Sequence, residues 1–157
     1  MNKESWLSYL FYDLGGQNCD FELQILEKGG KRSKRKRYSE VCFDSENGWN
    51  RWFISKANQR QILPFEIVLD FEDKERLPLT VKELRELKII FYVFNTGSRG
   101  YHVHTFYNKN LSEEEKLKII KHFLADTQLA SNRHMIALEF APHWKSGKIK
   151  ELIQYES

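Results

Sequence analysis

The apolar run Ile89 to Phe94 leads through Asn95-Thr96-Gly97-Ser98-Arg99-Gly100 into the alternating stretch Tyr101-His102-Val103-His104. No other stretch constrains the fold as much. It predicts a strand, a tight glycine turn and a second strand. The two glycines allow a sharp reversal and a close backbone approach to a ligand. Thr96, Ser98 and Arg99 crowd donors into the turn, a setting that suits an anion such as phosphate. His102 and His104 fall on one face of the second strand, because strand side chains alternate with period two.

Upstream, Phe65-Glu66-Ile67-Val68-Leu69-Asp70-Phe71-Glu72-Asp73 predicts a buried strand with Asp70 and Glu72 on one face at its C-terminal end. Two carboxylates so placed repel each other unless a cation lies between them. The oxygen ligands suit Mg²⁺ or Mn²⁺, which take a few carboxylates and fill their shells with water and phosphate. An isolated acid-x-acid strand end is equally a solvated terminus; the phosphate-type turn that follows favours the metal reading. A third segment, His143-Trp144-Lys145-Ser146-Gly147-Lys148, predicts a cationic, hydroxyl-bearing loop between strands over Met135–Phe140 and Ile149–Ile153.

Together these segments resemble the archaeo-eukaryotic primase superfamily, the family of the small catalytic subunit of DNA primase. Its first motif, a strand ending in D-x-D or D-x-E, is matched by Val68-Leu69-Asp70-Phe71-Glu72. Its turn of the type S-G-x-R-G-x-H is matched by Thr96 to His102, with Thr in place of Ser. Its H-x-K-T-G loop is matched by His143 to Gly147. The resemblance covers roughly Phe65 to Ile153 with motif order kept. It implies Asp70, Glu72 and a third carboxylate as ligands of two Mg²⁺ or Mn²⁺ ions. Asp126 is the choice for the third and Glu139 its rival. It also implies Thr96, Ser98, Arg99, His102, His143 and Lys145 as the triphosphate grip. The arginine-rich stretch expected before the histidine loop is reduced to Arg133 and His134. With only Cys19 and Cys42, no four-ligand zinc knuckle is expected.

The implied activity is template-directed nucleotidyl transfer, primer synthesis or DNA/RNA polymerisation by a two-metal mechanism. Its partners would be nucleoside triphosphates, a single-stranded DNA template, and a larger primase subunit or helicase. A degenerate member that binds nucleic acid without catalysis is one alternative. Another takes His102-Val103-His104 as the H-x-H metal pair of a rolling-circle replication nuclease, with Tyr107 or Tyr155 as nucleophile.

The 157 residues, 41% hydrophobic, fit one domain, with an N-terminal unit over 1–60 and a palm core over 61–157. No apolar run would cross a membrane, no signal sequence is expected, and two cysteines predict a reducing, cytoplasmic or nucleoid-associated setting. Net charge is +3, yet seven of the 25 Lys and Arg fall within Lys28–Arg37, which holds no acid. Lys31, Arg32, Lys34, Arg35, Lys36 and Arg37 would meet a nucleic-acid backbone. A solvated hairpin tip or a localisation signal explains the same run.

Periodicity predicts helices over Ser5–Leu14, Asn47–Gln59 and Val81–Lys88 (capped by Thr80), and another starting at Ser112 with a capping box to Glu115. Strands over Phe21–Glu27 and Arg37–Phe43 would flank the basic loop. Trp6, Tyr9, Phe11, Tyr12, Trp49, Trp52 and Phe53 are assigned mostly to the core, while Trp144 is placed to stack on a base or shield the site. The class is α+β, an RRM-like palm with a largely antiparallel sheet and flanking helices, the last detail implied by the resemblance.

Overall fold

The computed structural model describes residues 1–44 and 46–156, the side chains of Tyr155 and Glu156 excepted. Five helices lie among these residues: α1 (Lys3–Ser8), α2 (Tyr38–Cys42), α3 (Gly48–Lys56), α4 (Leu77–Glu86) and α5 (Glu113–His122). The strands in chain order are β1 (Glu22–Gln24), β2 (Lys36–Arg37), β3 (Gln59–Gln61), β4 (Glu66–Phe71), β5 (Ile90–Asn95), β6 (Tyr101–Phe106), β7 (Met135–Ala137) and β8 (Glu151–Glu156). They form two antiparallel sheets of four strands each, ordered β2-β1-β3-β7 and β4-β6-β5-β8. The fold is α+β. The first sheet takes β7 from beyond residue 61, so a boundary near residue 60 does not separate the sheets and falls within β3.

The predicted hairpin forms as β5 and β6, with Asn95 opposite Tyr101 and Phe94 opposite His102. β4 lines the other side of β6, placing Asp70 opposite His102 and Val68 opposite His104. Alternation then divides the second sheet. Ile67, Leu69, Phe71, Val93 and Val103 pack with Val81 and Leu84 of α4 and with Ile120 and Phe123 of α5 and its end. On the opposite face Tyr92, Phe94 and Phe106 join Trp6, Leu10, Leu23, Phe53 and Leu138 in the larger cluster between the sheets.

Local chemistry explains most of the boundaries. The Ser112 hydroxyl accepts the Glu115 N–H and the Glu115 carboxylate accepts the Ser112 N–H, so the predicted capping box starts α5. Asn2 and Ser5 form a similar box ahead of α1, which continues as a π-turn over Tyr9–Asp13. Some expectations need correction. Thr80 is no cap; it lies buried inside α4, which starts three residues earlier. The strand expected over Arg37–Phe43 is only β2 followed by α2, because Tyr38 and Val41, spaced for one helix face, are both buried. Inside α5 Lys116 is fully buried, its ammonium donating to the Leu63 carbonyl at 2.8 Å, while Leu117 is half-buried and His122 and Leu124 are exposed. Of the tryptophans expected in the core, Trp6 is fully buried, but Trp49 and Trp52 are 57% and 43% exposed; Tyr12 too faces solvent. Among the described residues, no helix is long and apolar enough to cross a membrane.

Candidate functional site

Asp70 and Glu72 lie at the C-terminal end of β4 and just beyond it, where the strand leaves the core. β4 is an edge strand, and the segment after α5 covers that edge: the Asp126 N–H donates to the Asp70 carbonyl at 3.3 Å. This bond brings a residue from far along the chain beside the acid pair. Asp70, Glu72 and Asp126 line one cavity of about 350 Å³, together with Asp73, Arg76 and Leu124. Burial, followed by the negative charge of Asp126, pushes the Asp70 carboxyl up to about 6, against the attraction of Lys150. The Asp70 carboxylate is therefore disfavoured by its burial and by the neighbouring negative charge, without full compensation. One Asp126 oxygen accepts the Gln128 N–H at 2.9 Å and caps a 3₁₀ turn over Thr127–Ala130. Among the described residues, no three His, Cys, Asp or Glu side chains are already arranged to hold a metal ion. The donor set suits Mg²⁺ or Mn²⁺, while its side chains stand apart.

The glycine turn abuts this cavity through its backbone. Gly97 and Gly100 have φ of +79° and +78°, a region open to glycine. A Cβ on Gly100 would fall 2.0 Å from the Phe71 carbonyl oxygen, and one on Gly97 would fall 2.6 Å from that of Lys148. The turn is thus wedged between the end of β4 and the histidine loop. Thr96 is buried, and its hydroxyl donates to the Arg99 carbonyl at 2.9 Å, so it is engaged within the turn. Ser98 and Arg99 are exposed. The Ser146 hydroxyl donates to the Gly97 carbonyl and ties the two loops together.

His102 is 8% exposed and its Nε2 lies 3.7 Å from an Asp70 oxygen, a neighbour beyond hydrogen-bond range. Its Nδ1 has no partner among the described residues. Burial and the Lys150 charge hold the ring well below its ordinary value, hence neutral. The imidazole faces the interior beside Asp70. The His143 Nδ1 accepts the backbone N–H groups of Lys145 and Ser146, at 3.1 and 3.3 Å, and so shapes its own loop. Lys145 is exposed. His143 and Trp144 line a second cavity, apart from the acids, with Trp52, Lys28 and Lys56.

Glu139, the rival third carboxylate, does not join the acid cavity. It is fully buried and accepts from Arg60 Nε at 2.6 Å, from the Trp6 indole at 2.7 Å and from Lys150 Nζ at 2.9 Å. Arg60 also forms a two-pronged pair with Glu66, at 2.8 and 2.6 Å. His104 completes the cluster: its Nδ1–H donates to Glu66 at 2.7 Å, and its Nε2 accepts from Lys150 at 3.0 Å. Two cations, two carboxylates and a neutral imidazole sum to no charge. Arg60 and Glu66 had no place among the expected site residues. The one sequence signal was Glu66, a charge in an apolar strand on the same face as Asp70.

In the basic segment, Lys31 and Lys34 are exposed, Lys36 pairs with Glu40 at 3.8 Å, and Arg37 precedes α2. Arg32 and Arg35 turn elsewhere. With Ser131, Arg133, His134 and Met135 they line a cavity of about 280 Å³, and Arg35 donates to the Arg133 carbonyl at 3.1 Å. Burial and then the two arginines hold His134 below its ordinary value. A cationic cavity and the acid cavity therefore flank the same 3₁₀ turn.

A scan against protein-family models gave no match to this chain, and a search of curated proteins gave none either.

Proposed function

We propose that the chain is a nucleotidyltransferase of the archaeo-eukaryotic primase type. The observation that carries this reading is the convergence of Asp70, Glu72 and Asp126 on one cavity beside the glycine turn. Leaving out the short β7, the chain order strand, helix, strand, strand, helix, strand from β4 to β8, the sheet order β4-β6-β5 and the placing of both helices on one face support an RRM-like palm; β8 departs from that pattern by joining beside β5 and not beside β4. Asp70, Glu72 and Asp126 would hold the Mg²⁺ or Mn²⁺ ions. When bound, such ions activate the attacking hydroxyl and neutralise charge on the triphosphate. Ser98, Arg99 and the turn's backbone would orient the triphosphate, with Lys145 reaching it from the tethered loop. His102 would position Asp70 rather than grip phosphate. Arg32 and Arg35 would hold a template phosphate. A larger subunit or helicase would be the natural partner, in a cytoplasmic or nucleoid setting.

A second reading, a degenerate binder, draws on the absence of a preassembled three-residue metal group among the described residues. The H-x-H nuclease is less well supported. Both ring nitrogens of His104 are engaged, and the Tyr107 hydroxyl is tied to Thr105; the side chain of Tyr155 lies outside the described residues. One assay separates the three. The protein is incubated with Mn²⁺ or Mg²⁺, labelled nucleotides and single-stranded template, with and without primer. Incorporation lost in Asp70→Ala is expected. Binding without incorporation would establish the degenerate reading, and a covalent tyrosyl–DNA adduct the nuclease.

A further inference from the structure

The cavity that His143 and Trp144 share with Trp52 measures about 390 Å³. Its walls come from three separate parts of the chain: Ile25 to Lys28, Trp52 to Asn58 with gaps, and Pro142 to Trp144. It is rigidly framed. The Asn58 amide clasps the Leu26 backbone with two 2.8 Å hydrogen bonds. Lys3 ties down the end of α3 by donating to the Ile54, Ser55 and Ala57 carbonyls. The His143 carbonyl and N–H are both held within its loop, and its ring lies roughly parallel to Trp144 at 6.1 Å.

An aromatic pair, one member of which lines the cleft, lacks cover. Trp49 and Trp52 stack on each other, 4.9 Å apart at 30°, while remaining 57% and 43% exposed. Large aromatic groups left in water by a protein with a formed core mark a binding surface when they are clustered. The charge around them favours an anionic partner. Lys28 and Lys56 line the cleft, Lys145 and Lys148 are exposed on the adjoining loop, and Glu27 is the one acid among the lining residues. Lys28 also opens the basic hairpin, whose far side supplies Arg32 and Arg35 to the cationic cavity.

We propose that this cleft is a nucleobase-stacking site for single-stranded nucleic acid, with a base against Trp52 and Trp144 and the flanking phosphates on Lys28 and Lys56. Every base offers a π-face, so such a platform is tolerant of sequence, while the lysines make it dependent on salt. The histidine loop has the cleft on one side and the glycine turn on the other, tied by Ser146 to Gly97. A strand held here lies next to the loops that border the acid cavity. The site does not depend on that cavity being catalytic.

The test uses the full chain and a fluorescein-labelled oligo(dT), in EDTA and without nucleotide, so that metal chemistry makes no contribution. Binding should quench tryptophan fluorescence. Trp52→Ala and Trp144→Ala should each weaken affinity by about tenfold to a hundredfold, the usual range for one stacked base. Trp52→Phe should recover most of the loss. Lys28→Gln with Lys56→Gln should flatten the dependence of affinity on salt. An abasic strand of equal length should bind the parent no better than oligo(dT) binds Trp52→Ala. Thermal melts confirm that the variants are folded; Lys28, Trp52 and Lys56 are exposed, and Trp144 is half-buried. Affinity unchanged in both tryptophan variants would overturn the proposal, as would equal affinity for the abasic strand or no binding to oligo(dT). A parent that binds oligo(dT) through Trp52 yet incorporates no nucleotide would keep the cleft and remove the polymerase reading.

Discussion

Asp70 has two roles that pull against each other. Its carboxyl is pushed up to about 6 by burial and by Asp126, so the folded protein holds the proton more tightly than the unfolded chain does. Between about 4 and 6 the native state binds more protons, and this residue's contribution to stability falls as pH rises through that window. Asp70→Asn should therefore melt higher than the parent at pH 7.5 in EDTA, with the difference shrinking towards pH 4, while nucleotide incorporation is lost. A lower melting temperature at pH 7.5 would mean that the carboxylate is compensated after all. His104 behaves in the opposite manner. Removing its ring strips a hydrogen bond from both Glu66 and Lys150 and leaves a void, so His104→Ala should cost about 3 kcal/mol, visible as a fall of roughly 6–12 °C in melting temperature. The two histidines of one motif thus part company, one beside the acids and the other in the core. Alternation placed them on one face, and it also placed Asp70 and Glu66 there. Which end of that face opens to solvent depends on α1, β3 and the Glu139 segment, remote contacts that a local pattern does not encode.

At the level of the element, the glycine turn joins the site together. Gly100→Ala would drive a Cβ into the Phe71 carbonyl, which sits between Asp70 and Glu72 in the chain. The end of β4 must yield, so activity should fall by more than tenfold and the melt should shift downward. A Gly29→Ala control, also at positive φ but with open space around it, should show only the smaller conformational cost. The hairpin, β4 and the capped α5 were all legible because each rests on a local signal: apolar runs, glycine spacing, a capping box. The stretch after Arg37 was not. Tyr38 and Val41 fit a helix face as well as a strand's apolar content, and tertiary burial chose the helix. Likewise Thr80 resembles a cap in sequence, but the helix begins upstream because Leu77 and Pro78 accept its first turn. Trp49 and Trp52 have core-like composition and helical spacing, and neither property reveals that only Phe53 of that trio turns inward.

For the molecule as a whole, the two sheets are joined by the neutral cluster of Arg60, Glu66, His104, Glu139 and Lys150. Each member would carry a heavy desolvation cost alone, so its loss should be felt globally: Arg60→Met should destabilise by about 3–5 kcal/mol in urea unfolding, because Glu66 and Glu139 lose their shared partner. The arginine holds both carboxyls well below the usual carboxylate range, and burial keeps His104 from charging. For each of these groups the unfolded chain binds more protons than the native state. Stability should decline as pH drops below about 6.5, where unfolded histidine protonates, and more steeply below about 4.5, where the glutamates do. Because Asp70 titrates with the opposite sign over part of this range, the measurement uses Asp70→Asn, and a urea midpoint of that variant that stayed flat from pH 7 to 4 would contradict this. A glutamate or arginine at the centre of a core is not what composition leads one to expect, and only the finished packing pairs them.

The strand order has a consequence for how such a chain can be made. The first sheet is completed by β7 and the second by β8, while the ion cluster is completed by Glu139 and Lys150. During synthesis, then, neither half can mature as β3 and then β4 to β6 leave the ribosome. The nascent chain waits with two open sheet edges and with Arg60, Glu66 and His104 lacking their later partners. Such a topology favours slow, late and concerted maturation, and it makes incomplete chains targets for chaperones and proteases.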